Sequence, residues 1–176
     1  MILRNSTVLS TTRLEDMILP VVDGWPHESL RAFFRNSRGA EFSGACYYHQ
    51  ARIHVNLGRR NAYPYLIRAS IARAQSDRRS WWREVYAVRV ADAYQLALFV
   101  FLHEFYHWLV KKARRNTRQK ESRCDRFAAA VLVDRYAADV LDAAGRPVPR
   151  EQWDFQDQLA FVAAARHRGR LDLARP

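Results

Sequence analysis

The sequence predicts an α+β fold in which a small, mostly antiparallel sheet packs on a buried helix, and a second ligand-bearing helix and a C-terminal helix complete the structure. Three observations predict it: β-type alternation between residues 42 and 57, an almost entirely apolar helical pattern over 93–112, and a second helical pattern from Glu121. The 176 residues, 49% of them hydrophobic, are enough for a single packed domain over 1–176.

The N-terminal segment contains one predicted helix and one ambiguous element. Thr12 and Glu15 have the spacing of a capping box, so a short helix is expected to begin at Thr12. It should end at about Leu19, because Pro20 follows. Residues 27–35 carry apolar side chains that fit a helix or a strand.

The middle of the chain has β character. Residues 42–57 predict a hairpin with its turn near Gln50 and Ala51, because the second half of this segment alternates apolar and polar residues as a half-buried strand does. Residues 63–83 fit either secondary structure. Residues 85–90 are rich in valine and predict another strand. The alternating apolar residues of the hairpin are Ile53, Val55 and Leu57.

A long central helix is predicted over 93–112. Asp92 is a good N-cap, and no glycine or proline interrupts the following residues. The segment is apolar on nearly every side, which indicates a helix surrounded by protein rather than one lying on a surface. Polar side chains within it therefore need a partner or a function.

Two further helices are predicted in the last third of the chain. The first should span 121–144 and stop at Gly145, a residue type that commonly follows a helix C-terminus. The second should span 151–167, where apolar residues recur at helical spacing.

Charge, cysteine content and hydropathy limit the setting of the protein. Lysine and arginine number 29 against 18 acidic residues, and the resulting net charge of +11 favours polyanionic partners such as nucleic acid. No apolar run approaches the roughly 20 residues of a membrane span, and no secretory signal is evident at the N-terminus, so no membrane partner is expected. Cys46 and Cys124 are too few for a disulfide framework and are expected to be reduced thiols in a cytoplasmic protein.

The central helix contains the pattern H-E-x-x-H, formed by His103, Glu104 and His107. The i, i+4 spacing places both imidazoles on one face, where they can bind one Zn²⁺, and Glu104 can take a proton from a zinc-bound water. A chance match would leave three polar side chains in an apolar helix at a cost of several kcal/mol. One Zn²⁺ per chain is therefore expected.

A catalytic zinc usually has a third protein ligand, for which Glu121 is the candidate. Asp125 follows four residues later on the same helical face and can accept a hydrogen bond from a ligand histidine. The alternative is a solvated helix N-terminus, where acidic residues are favourable without any metal.

The motif-bearing segments resemble zincin metallopeptidases of the gluzincin branch. The active-site helix of that group is similar to VFLHEFYHW at 100–108, and E-x-x-x-D-x-F-A-x-x-x-L, beginning at Glu121, is similar to the second motif of the ImmA/IrrE-like peptidases. The resemblance covers roughly residues 85–135. It implies His103, His107 and Glu121 as zinc ligands, Glu104 as general base, and Asp125 as the partner of a ligand histidine.

The sequence departs from that family pattern at several positions. Cys124 replaces the usual alanine on the face of Glu121, and Phe105 and Tyr106 replace the Leu-Gly that commonly lies between the two histidines. A weaker resemblance to SprT/Spartan-like proteases rests on the strands before the helix and the basic character. Those proteases use a third histidine, whereas His167 is the only histidine after His107.

The resemblance implies a metallopeptidase that hydrolyses peptide bonds in a protein substrate through a zinc-activated water. The donor for the reaction's oxyanion stays open among Tyr106, Tyr136 and His54. The strand at 84–90 is a candidate edge for pairing with an extended peptide.

The alternative function is that of a nucleic-acid-associated protein with a structural or non-catalytic zinc site. A basic stretch between the two central helices would be the contact, and a partner could also be a DNA-bound protein. Trp81 and Trp82 could stack on bases, but such a pair more commonly anchors a loop to the core. The basic candidates are Lys111, Lys112, Arg114, Arg115, Arg118 and Lys120.

Overall fold

A computed structural model of the chain describes residues 1–117 and 120–166 and has an α+β architecture. Within these residues, three small sheets and five α-helices pack around one apolar core. The strands are β1 (Ile2–Asn5), β2 (Arg31–Asn36), β3 (Phe42–Tyr47), β4 (Arg52–Leu57), β5 (Tyr65–Ala69), β6 (Ala74–Ser76), β7 (Trp81–Arg83), β8 (Tyr86–Val90) and β9 (Asp139–Leu141). The helices are α1 (Thr11–Val22), α2 (Ala93–Lys112), α3 (Glu121–Tyr136), α4 (Arg150–Trp153) and α5 (Gln158–Val162).

The largest sheet has four strands in the order β1-β2-β4-β3. The predicted hairpin over 42–57 is confirmed as the antiparallel pair β3–β4, with Cys46 opposite Ile53. The pairs β1–β2 and β2–β4 are parallel. The prediction of a mostly antiparallel sheet is therefore wrong for this sheet. The difference arises because α1 lies between β1 and β2 in the chain, and such crossovers join parallel strands.

A second sheet has the order β5-β8-β9 and is antiparallel throughout. It contains the strand predicted at 85–90, which begins at Tyr86, and it places this strand between two neighbours. The ambiguous residues 63–83 form β5 and a separate two-stranded hairpin, β6–β7. The ambiguous residues 27–35 end in strand β2 rather than a helix.

Helix α1 is capped by Ser10, not by Thr12 as predicted. The Ser10 hydroxyl accepts a hydrogen bond from the backbone N–H of Arg13 at 3.3 Å. The helix also continues past the predicted end and contains Pro20. Its buried residues, Met17, Ile18 and Val22, form an apolar face that stabilises it against the core on both sides of the proline.

Helix α2 has the bounds that the sequence predicts. The Asp92 carboxylate caps it by accepting a hydrogen bond from the backbone N–H of Gln95 at 2.9 Å. Residues on every side of the helix are buried, because it packs against α3, β3 and β4. It is therefore the central element of the core, as its apolar composition predicts.

The predicted extent of the second helix, 121–144, is wrong at its C-terminus. Helix α3 ends at Tyr136, because Ala137 takes a left-handed conformation with φ of 50° and its N–H bonds to the Leu132 carbonyl. The chain then enters β9, where Val140 pairs with Val88 of β8. A tertiary strand pairing thus replaces the last two predicted helical turns.

The predicted helix over 151–167 is also wrong within the described residues. Two short helices, α4 and α5, occupy this segment, and Asp157 starts the second by accepting from the N–H of Ala160 at 2.8 Å. His167 lies outside the described residues. No described helix has both the length and the apolar character needed to cross a membrane.

Candidate metal centre

Three side-chain donor groups lie close together where α2 packs against α3. Two of them are histidines of α2, and the third is a glutamate of α3. The Nε2 atoms of His103 and His107 are 3.2 Å apart. The carboxylate of Glu121 lies 3.1 Å from Nε2 of His103 and 3.2 Å from Nε2 of His107. The two contacts use different oxygens of the Glu121 carboxylate, so two nitrogens and one carboxylate form a triangle of donor groups whose three contacts have nearly the same length.

These separations match the donor arrangement around one small metal ion. Nitrogen and oxygen donors at roughly 2.0–2.1 Å from a tetrahedral centre lie about 3.3 Å from one another. The two histidines are mostly buried, whereas the side chain of Glu121 is 68% exposed. One side of the triangle is therefore open to solvent.

Asp125 lies behind His103, at the nitrogen that faces away from the triangle. Nδ1 of His103 donates to the Asp125 carboxylate at 2.8 Å. The same carboxylate accepts from the backbone N–H of Ser70 at 2.9 Å, which ties it to the loop after β5. The hydrogen bond between His103 and Asp125 orients the imidazole of His103 with its Nε2 toward Glu121. The corresponding Nδ1 of His107 is buried without a hydrogen-bond partner in the described chain.

Cys124 is a second candidate for the third ligand. One donor atom each from His103, His107 and Cys124 lie within 4.8 Å of one another, so these three side chains can also hold a metal ion. Cys124 is fully buried, and burial, followed by the charges of Glu121 and Asp125, raises the pKa of its thiol. We favour Glu121, because its oxygens lie 3.1 and 3.2 Å from the two Nε2 atoms and a carboxylate needs no deprotonation at neutral pH.

The electrostatics of the cluster favour a cation. Burial opposes protonation of His103, but its hydrogen bonds to Asp125 and Glu121 outweigh burial and raise its pKa to about 10. Burial and then the neighbouring His103 lower the pKa of His107. The hydrogen bond from His103 is the main cause of the lowered pKa of Glu121. A proton on His103 thus balances these carboxylates, and a metal ion would displace it.

Glu104 lies against the edge strand β3. Burial is the main cause that raises its pKa to about 7, while a hydrogen bond from the backbone N–H of Cys46 opposes this shift. Gly44 leaves room for its side chain, because a Cβ atom there would lie 2.5 Å from Oε1 of Glu104 and 2.9 Å from Val100. No sequence pattern points to Gly44, since its contact with Glu104 depends on the packing of β3 on α2.

The other candidates from the sequence lie elsewhere. The Tyr106 hydroxyl is buried and donates to the Gln158 carbonyl at 2.9 Å. Tyr136 bonds to the Met17 carbonyl, and His54 packs between Phe33 and Tyr47 in the four-stranded sheet. These three residues have partners of their own, so the predicted oxyanion donors are not placed at the triangle.

The basic candidates lie around the end of α2 and the start of α3. Lys111 and Lys112 form the last turn of α2, and Arg114 and Arg115 follow it. Lys120 precedes α3, with its ammonium 5.3 Å from the ring centre of Phe161. Arg118 lies outside the described residues.

Comparisons with known proteins add no relative. No family model, no curated protein and no solved structure matches the chain.

Proposed function

We propose that the protein is a zinc-dependent metallopeptidase. The observation that carries the proposal is the convergence of His103, His107 and Glu121 donor atoms at 3.1–3.2 Å beside the carboxylate of Glu104. Two imidazoles and one carboxylate form the ligand set of many catalytic zinc sites, which keep one position open. The exposed side of Glu121 provides access for a substrate.

The donor set suits zinc better than the alternatives. Imidazole nitrogen favours zinc and other late transition metals, whereas calcium and magnesium prefer sites made entirely of oxygen. A bound zinc ion supplies a Lewis acid for the scissile carbonyl and lowers the pKa of a coordinated water toward about 7. His103, His107 and Glu121 would hold the ion, and Asp125 would hold the imidazole of His103 in the correct orientation.

Glu104 is the general base in this proposal. Its carboxylate would take a proton from the attacking water and give it to the leaving amine. The backbone N–H of Cys46 lies beside the carboxylate and helps to orient it.

Strand β3 is the proposed binding edge for an extended peptide. It is the last strand of its sheet, so one side of its backbone has no neighbouring strand in the described chain, and that side faces Glu104. The edge predicted at 84–90 is wrong, because β8 pairs with β5 and with β9.

The direct test is peptide hydrolysis by the zinc-loaded protein. The purified chain should bind about one zinc, cleave members of a mixed peptide pool identified by mass spectrometry, lose activity with a chelator and regain it with zinc. Absence of cleavage by a folded, fully loaded protein would contradict the proposal.

Gly44→Ala should lower peptidase activity without removing the metal. The new Cβ would overlap the Glu104 carboxylate, which would have to rotate away from its position beside the metal. A displacement of about 1 Å can cost roughly 100-fold in rate, so we expect a loss of that order in kcat. Gly39→Ala is the matched control, because nothing lies within 4 Å of its Cβ position. Equal kcat values for the two variants would show that the contact is unimportant.

The second candidate is the nucleic-acid-associated protein. One observation favours it: Trp81 is 72% exposed and Trp82 is 45% exposed. The expectation that this pair anchors a loop to the core is therefore wrong. Arg78 and Arg79 lie at the turn of the same hairpin. Salt-dependent DNA binding by a zinc-loaded protein that cleaves no peptide would support this function.

A further inference from the structure

A basic groove of about 680 Å³ lies at the C-terminal end of α2, where Trp108, the residue after His107, forms part of its lining. Its lining combines the aromatic rings of Tyr48 and Trp108 with side chains at the C-terminal end of α2. The volume falls within the range of about 300–1,000 Å³ typical of sites that hold small ligands. The positive side chains in the lining are Lys111, Lys112, Arg114 and Arg115.

None of these four cations forms an ion pair with another residue in the described chain. Lys112 contacts the Trp108 ring, with its ammonium 4.6 Å from the ring centre, and Lys111 is 6.0 Å from that of Tyr48. Arg114 has a left-handed φ of 54°, at a helix end where glycine is usual. The chain thus keeps a charged side chain at the groove in spite of a less favourable backbone conformation.

The groove lies next to the proposed active site along helix α2. Lys111 follows His107 by four residues, so the two side chains lie on the same face of α2, one turn apart. Tyr48 lines the groove and directly follows strand β3. Burial is the main cause that raises the pKa of Tyr48 to about 12, so its hydroxyl stays protonated and carries no charge that would repel a carboxylate.

We propose that this groove binds a carboxylate of the peptide substrate, so that the enzyme prefers acidic peptides. The inference rests on the proposed peptidase function and specifies its substrate class. A peptide paired with β3 would leave Glu104 and pass Tyr48 within a few residues, since an extended chain advances about 3.3 Å per residue. A carboxylate at that distance from the scissile bond meets the unpaired cations.

A peptide fits this arrangement better than a nucleic acid. Strand β3 offers backbone hydrogen-bonding groups, which an extended peptide can match along its length. The four cations are gathered in one groove at the end of that strand, whereas single-stranded nucleic acids are bound along a basic track with stacked bases. A nucleic acid is therefore treated as an outcome of the test.

The experiment compares matched peptides on matched variants. The best-cleaved member of the mixed pool is resynthesised with Glu or Gln at each position flanking the cleavage site, with its C-terminus free or amidated. We expect about fivefold higher kcat/KM for one Glu position, or for the free C-terminus, over its neutral partner. The comparison of Glu with Gln tests for recognition of a side-chain carboxylate. The comparison of a free with an amidated C-terminus tests for recognition of the terminal carboxylate.

The double variant Arg114→Gln/Arg115→Gln should reduce the ratio of kcat/KM for the acidic peptide over the neutral peptide to nearly one. We expect this change mainly from a higher KM for the acidic peptide. Arg59→Gln/Arg60→Gln is the matched control, because it removes the same charge from two exposed residues in the turn after β4 and should keep the preference. Thermal unfolding checks that both variants fold.

Each remaining outcome has a distinct meaning. Equal cleavage of acidic and neutral peptides by the wild-type chain overturns the groove proposal and leaves the peptidase function intact. No cleavage of any peptide overturns the peptidase function and the groove proposal with it. If peptides show no carboxylate preference and a single-stranded oligonucleotide binds in a way that depends on Arg114 and Arg115, the groove is a nucleic-acid site instead.

Discussion

Alanine in place of Glu121 is expected to lower zinc affinity by more than 100-fold. The change removes one of three donors that lie 3.1–3.2 Å apart, and it leaves two imidazoles that compete for the same proton. Loss of a residue that only hydrogen-bonds a ligand typically costs about 10–100-fold, so loss of a donor should exceed that range. Competition with a chelator of known affinity measures the change.

Cys124→Ala is the matched variant on the same helix. Its thiol is fully buried and its pKa is raised, so it should contribute little to metal binding, and zinc affinity should change by only a few-fold. Elemental analysis after dialysis against trace zinc compares both variants with wild type. The reverse result, with zinc lost from Cys124→Ala and retained by Glu121→Ala, would make Cys124 the third ligand and contradict the proposed ligand set.

The parts of the fold that the sequence predicts well depend on local signals. Helix α2 begins at Asp92 because a carboxylate there caps the first turn, and its uniform apolar composition already implies burial on all sides. The alternation of Ile53, Val55 and Leu57 places all three side chains in the core, as the strand period requires.

The elements that the sequence does not predict are decided by contacts between distant residues. Residues 137–144 contain several alanines and would continue a helix on propensity alone, yet Asp139–Leu141 pair with β8, a strand about 50 residues earlier in the chain. Whether a strand lies at an edge is likewise a property of the whole sheet. The binding edge was for that reason assigned to 84–90 and not to β3.

The candidate site likewise contains residues that local spacing predicts and residues that only the packing of distant elements brings together. The spacing of His103 and His107 on one helix predicts that they converge, since residues four apart share a face. The position of Glu121 relative to them depends on the packing of α3 on α2, and Asp125 could be assigned only through the resemblance and the helical period. No local pattern identifies Gly44 in β3 or Tyr48 directly after it, because their positions near the site depend on how β3 packs on α2.

Glu104→Gln should abolish most peptidase activity while leaving the metal in place. Glutamine has nearly the same shape, and its amide oxygen can still accept the hydrogen bond from the Cys46 N–H, so the edge strand and the helix should keep their positions. It cannot take a proton from water. General bases contribute about 10²–10⁴-fold to rate, and we expect kcat to fall within that range.

The measurement combines kcat, zinc content and thermal unfolding on the same preparations. Glu84→Gln is the control, because it makes the same chemical change at an exposed residue. A structural zinc site would tolerate both variants equally. If Glu104→Gln instead retains full cleavage with one zinc bound, another group must take the proton, and the role of Glu104 would be limited to its contact with β3. If kcat of Glu104→Gln falls sharply while zinc content and unfolding temperature stay unchanged, Glu104 acts on the reacting atoms. A residue with only a structural role would not produce this combination of results.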